Sequence, residues 1–216
     1  MRARPVQPWL IRLTHWVDAV VLVIMAGSGL RILAAYPSLG PRGAPYGWYP
    51  FHGVPPPAAL TVGVWLAGAR HVHFAFAWLF LANALAYLVY LFASGEWRRR
   101  LFLPRRDARQ AFGTFLGYLR VRPMPPQEGV YNGLQRLAYT SALLLGALVV
   151  LSGFALYDPV QLPRLTALLG GYDAARAIHL LSLAALAAFT VVHVVQVLLH
   201  PRTLLDMTAG RKEQIQ

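Results

Sequence analysis

The stretch ARAIHLLSLAALAAFTVVHVVQVLL, residues 175–199, decides how this chain is built. Arg176 is its one charged residue, and at 1.5 Å of rise per residue a helix of this length crosses a hydrocarbon core of about 30 Å. His179 and His193 stand fourteen residues apart within it. At about 3.6 residues per turn that is almost four turns, so both imidazoles share one helix face roughly 21 Å apart. One histidine is therefore expected near each leaflet, both aimed the same way. Ionisable side chains inside a spanning helix are costly and usually have a functional partner. Two stacked histidines suggest two stacked cofactors, and the candidate is haem.

Composition extends the membrane reading to the whole chain. Hydrophobic residues make up 57% of the 216 positions and charged residues 13%, about half the charged share of an average soluble domain. Four segments are long and apolar enough to span: 13–34, 73–93, 137–156 and 178–199. The expected fold is all-α, a four-helix transmembrane bundle forming one domain over residues 1–216. Residues 36–70 are proline-rich and predict a long outer connection, in which 58–69 is apolar but too short to span. Phe112, Phe115, Leu116 and Leu119 repeat at i, i+3, i+4, i+7 between arginines, which predicts a short helix on the inner membrane surface.

The arginines set the orientation. Arg2, Arg4 and Arg12 precede the first span, eight arginines lie between Arg98 and Arg122, and Arg202, Arg211 and Lys212 follow the last span. Arg31, Arg42, Arg70, Arg164 and Arg176 fall on the opposite side. Lys and Arg accumulate in cytoplasmic loops, so both termini are expected in the cytoplasm of a bacterial inner membrane. The net charge of +12 then reads as attraction to anionic lipid at the ends of spans and not as nucleic-acid binding. The run after Arg2 and Arg4 is long for a signal peptide and ends in a poor cleavage site, so it is expected to be a retained span.

The chain contains no cysteine. Disulfides, thiolate-held iron–sulfur clusters and covalently attached c-type haem are thereby excluded, and any haem must be b-type. Depth sorts the seven histidines. His15 lies near the inner end of the first span, level with His193. His73 lies at the outer end of the second, level with His179. Each pair can supply the two axial ligands of one haem iron, leaving no open iron position and favouring electron transfer over oxygen chemistry. His71 competes with His73, but residues two apart on a helix diverge by about 200°, so only one faces inward. His73 is the deeper. His52 and His200 read as surface histidines.

Other residues acquire candidate roles around these pairs. Gly27, Ser28, Gly29, Gly146, Ser152 and Gly153 either let a flat ring approach the backbone or pack helices tightly. Arg12 and Arg176 each stand three residues before a proposed ligand and either pair with a haem propionate or snorkel to the interface. Asp18, one turn beyond His15, either handles protons for a quinone or is a structural acid. Gln135, Arg136 and Tyr139 are further polar groups near the inner pair.

Several runs carry a family resemblance. RLTHW at 12–16 followed by GSG at 27–29, LAGAR at 66–70 with HFAFAW at 73–78, QRLAY at 135–139, LSG at 151–153 and GGYDAARAIH at 170–179 resemble the bacterial cytochrome b561 and nickel-hydrogenase cytochrome b superfamily. Within it they are similar to the four-helix thiosulfate-reductase-type cytochrome b subunits. The resemblance covers nearly the whole chain. It departs at His71 and Val72, where Arg and Trp are usual, and at Asp18, often Asn. It implies two haem b groups ligated by His15, His73, His179 and His193, and a quinone site near the cytoplasmic haem. It also implies a partner on the outer face, commonly a molybdenum-cofactor oxidoreductase or another redox protein such as a c-type cytochrome. The expected function is electron transfer between quinone and a periplasmic redox partner. The alternatives are a stand-alone quinone-linked oxidase of a small reductant such as superoxide and, from a different class, a metal-ion transporter.

Overall fold

The structure is a computed structural model and describes residues 7–126 and 129–210, with the Arg202 side chain excepted. Arg2, Arg4, Arg211 and Lys212, on which the orientation reading partly draws, lie outside the described residues. Every regular element among the described residues is helical. Four long helices, α1 (Trp9–Ala34), α2 (Leu66–Ala93), α5 (Gly133–Tyr157) and α7 (Tyr172–Leu199), are long and apolar enough to cross a membrane. Between 11 and 22% of their most apolar stretches is buried against protein. The remainder is apolar surface that suits lipid and would not be left to water. The fold is all-α with four membrane-spanning helices.

Shorter helices occupy the connections: α3 (Trp97–Arg100), α4 (Pro104–Tyr118), α6 (Pro163–Leu168) and α8 (Arg202–Thr208). The second span begins earlier than hydropathy suggests. Leu66–Ala69, read from sequence as the end of an apolar stretch too short to span, already belong to α2, while Ala58–Leu60 form a single 3-10 turn. Arg70 and His71 lower the local hydropathy without breaking the helix.

Chain contacts divide the molecule into two compact units. One comprises Leu13–Leu85 and Ala147–Ala185. Its core holds Val21, Met25 and Phe80, with Val17, Leu22, Phe76 and Val150 packed around them. Here the connection between α1 and α2 packs back on the helices. Leu39 and Tyr49 are buried against Ala177 of α7. Val62 N–H donates to the Gly27 carbonyl at 3.0 Å, and a Cβ on Gly27 would fall 2.6 Å from the Val62 side chain, so the close approach needs glycine.

The other unit comprises Met1–Arg12, Ala86–Gly146 and Leu186–Gln216. It is held by buried charge. Asp107 on α4 is 1% exposed and accepts from Arg136 at 2.8 Å, from Arg106 at 2.6 Å and from the Leu103 N–H at 2.8 Å. Burial alone would push its carboxyl up; the bonds from Arg106, Leu103 and Arg136 outweigh burial and hold it at about 2. Nearby, buried Arg100 donates to Glu96, Gln7 and Tyr131 at 2.8, 2.8 and 3.1 Å. On the other face of α4, Phe112, Phe115 and Leu119 are exposed, the apolar stripe expected of a helix lying on a membrane surface.

Candidate haem-binding site

The spanning helices bring His73 and His179 together. Their ring centres are 6.3 Å apart and their planes lie 67° from each other. Each imidazole is held through Nδ1 from the helix beside it. His73 Nδ1 lies 3.1 Å from the Met25 carbonyl and 3.0 Å from the Ser28 hydroxyl of α1. His179 Nδ1 lies 3.0 Å from the Val149 carbonyl and 3.0 Å from the Ser152 hydroxyl of α5. A carbonyl can only accept, so in both rings Nδ1 carries the hydrogen and Nε2 keeps a free lone pair. Behind the rings stand Gly29 and Gly153. A Cβ there would sit 3.2 Å from His73 Cε1 and 3.4 Å from His179 Cε1. These glycines make room for the imidazoles themselves.

This arrangement fits a haem iron. Metal–nitrogen bonds of about 2.0 Å from nitrogens about 1.1 Å off their ring centres place those centres a little over ~6 Å apart, as observed. Second-shell bonds through the other ring nitrogen are what metal-ligating histidines characteristically make. Among the described residues no group of three or more His, Asp or Glu side chains could hold a bare metal ion. Two imidazoles complement a macrocycle that brings the remaining ligands. His71, on the same helix, is exposed and bonds its own backbone at Ala67 O, 2.8 Å away.

The remaining candidates sit as follows. His15 is half-buried beside Trp16, ring centres 5.4 Å apart. In the other unit, His193 stacks on Phe189 at 5.8 Å and meets Tyr139 edge-on at 6.2 Å. Asp18 accepts a 2.7 Å hydrogen bond from Asn83 of α2, which also donates to the Thr14 carbonyl at 2.9 Å. Arg176 donates to the carbonyls of Ser38 (2.8 Å) and Tyr36 and lies over the Tyr36 ring, which clasps the outer connection to α7. Arg12 donates to Thr208 O at 2.7 Å, and its guanidinium rests on Gly210. Gln135 and Asn132 cap α5 reciprocally, and Arg136 is committed to Asp107. Of the polar groups named near the inner pair, Gln135 and Arg136 are thus engaged in holding the structure. The two serines were legible in sequence only as small residues; their role as hydrogen-bond acceptors was not.

Two imidazoles set 6.3 Å apart between membrane helices fit the class of b-type cytochromes, and the chain belongs to the prokaryotic cytochrome b561 family, whose sequence pattern matches residues 6–210. It is thus a multi-pass membrane haem-b protein of electron transfer. It is also 41% identical over 204 residues, 94% of either chain, to a protein of Azospira oryzae provisionally named protein-methionine-sulfoxide reductase subunit YedZ1.

Proposed function

We propose that the chain carries electrons from the quinone pool of the bacterial inner membrane through two b haems to a periplasmic redox partner that reduces methionine sulfoxide in proteins. The observation that carries the reading is the His73–His179 pair, 6.3 Å apart, with both Nδ1 atoms committed to α1 and α5. His15 and His193 are the ligands of the second haem, on the grounds of their depth and of the family resemblance. The partner is argued from the name of the Azospira oryzae relative, and the resemblance favours a molybdenum-cofactor enzyme. That name also supports this direction of flow, since a reductase consumes electrons.

Haem b, when bound, supplies a one-electron iron couple. The protein supplies position and proton handling. His73 on α2 and His179 on α7 would hold the iron, with Ser28, Ser152 and two carbonyls fixing the imidazoles in turn. Arg176 holds the Tyr36–Ser38 segment over this end of α7, leaving a folded outer surface for a partner. Quinol oxidation releases two protons, and methionine sulfoxide reduction takes up two protons and two electrons to give methionine and water. Asp18, bonded to Asn83 on one oxygen, has a second carboxylate oxygen with which to accept a quinol proton.

The test is a coupled assay in membranes holding the chain and its partner. Quinol-reduced b haem should reoxidise on adding a protein bearing methionine sulfoxide, and pyridine haemochrome should count two haem b per chain. Haem that stays reduced, or a count of one, rejects the proposal. Asp18→Asn should slow quinol-driven haem reduction by about 10²-fold, the lower range for losing a positioned proton acceptor, while both haem spectra stay intact. Unchanged quinol turnover in that variant removes Asp18 from the mechanism.

A further inference from the structure

The supports of His73 and His179 repeat atom for atom. On α1 the Ser28 hydroxyl donates to the Ile24 carbonyl at 2.8 Å, and on α5 the Ser152 hydroxyl donates to the Leu148 carbonyl at 2.6 Å. A serine hydroxyl has one hydrogen. With that hydrogen directed to its own helix and Nδ1 carrying the imidazole hydrogen, each serine oxygen meets its histidine as an acceptor. Each Nδ1–H is therefore shared between a carbonyl and a serine oxygen. Both serines are fully buried, so no water competes for these bonds.

We propose that Ser28 and Ser152 are positioning residues that set the reduction potential and the ring orientation of the haem held by His73 and His179. The proposal rests on the ligand assignment made above. An acceptor on Nδ1–H shifts electron density towards Nε2 and makes the imidazole a stronger donor, which favours oxidised iron and lowers the potential. Of the two acceptors on each ring, the serine is the one that side-chain chemistry can change. The same bonds fix rotation about the ligand axis. With Gly29 and Gly153 packed at Cε1, they hold the ring planes 67° apart. Axial planes so far from parallel give an oxidised low-spin haem a strongly anisotropic electron paramagnetic resonance signal.

The experiment uses the purified full chain with its haems, comparing Ser28→Ala, Ser152→Ala, the double variant and Ser28→Thr. Haem content, redox titration and low-temperature resonance spectra are read on each. Each alanine variant should raise the midpoint of one b haem, and the double variant should raise it further. The resonance of that same haem should move while the other haem stays unchanged. Ser28→Thr, which keeps the hydroxyl, should retain the native midpoint. Unchanged midpoints and spectra in the alanine variants at full haem content overturn the proposal, as does a threonine shift as large as the alanine shift. If an alanine variant loses haem, the threonine variant decides: a native midpoint supports the role, an altered one rejects it. His73→Ala separates the two layers of argument. If it keeps both haems, the ligand assignment fails and the serine role with it; if it loses one, a silent serine result sinks only the serine role.

Discussion

Replacing His179 by alanine should halve the haem content of the purified protein, from two b haems per chain to one. His73→Ala should give the same product, because the two imidazoles lie 6.3 Å apart and, on the proposed assignment, would serve one iron. His71→Ala should keep both haems, since that side chain is exposed and bonded to its own helix turn. Optical spectra of the His73 and His179 variants should lack the same b component, and pyridine haemochrome normalised to protein counts the loss. The ordering matters more than the absolute yield. A protein that loses haem on His71→Ala and keeps it on His73→Ala would falsify the assignment of the outer ligand.

The second large effect lies far from the haem. Asp107→Ala should destabilise the protein by about 3–5 kcal/mol, the usual cost of removing one partner from a buried ion pair. It removes the carboxylate that pairs with Arg136, itself 8% exposed, and the acceptor for the Leu103 N–H. Thermal unfolding in detergent followed through helical signal and haem release measures the loss; a midpoint equal to that of the unaltered chain would reject the account. The same carboxylate gives a pH dependence with a definite sign. Its folded value, about 2, lies below the ordinary value of about 3.9, so its contribution is complete above pH ~4 and drains away as pH falls towards 2. Asp107→Ala should lack that part of the acid transition.

The spans and the shared helix face of His179 and His193 were readable because each rests on a one-dimensional signal. A run of apolar residues measures a membrane thickness, and fourteen residues between His179 and His193 measure a helix face. The start of α2 was misplaced for the same reason. Arg70 and His71 lower hydropathy at its outer end, yet a helix end at an interface tolerates them. What pairs across long sequence distances stayed hidden. Nothing local to Arg136 announces Asp107 or, for Arg176, the carbonyls of Ser38 and Tyr36. Both arginines therefore looked available for quinone or propionate. The serines were a different omission. Ser28 follows His15 by thirteen residues and Ser152 follows Tyr139 by thirteen, each followed by glycine. That weak internal repeat links the first and third spans as equivalent supports.

The repeat has a bearing on how such a protein is made. Ser28 and His73 belong to consecutive spans, and so do Ser152 and His179. Each hairpin can therefore satisfy its own buried imidazole on entering the bilayer, with Nδ1 already engaged and Nε2 alone left vacant. On the proposed assignment, haem would join two hairpins that each already hold their own imidazole in place.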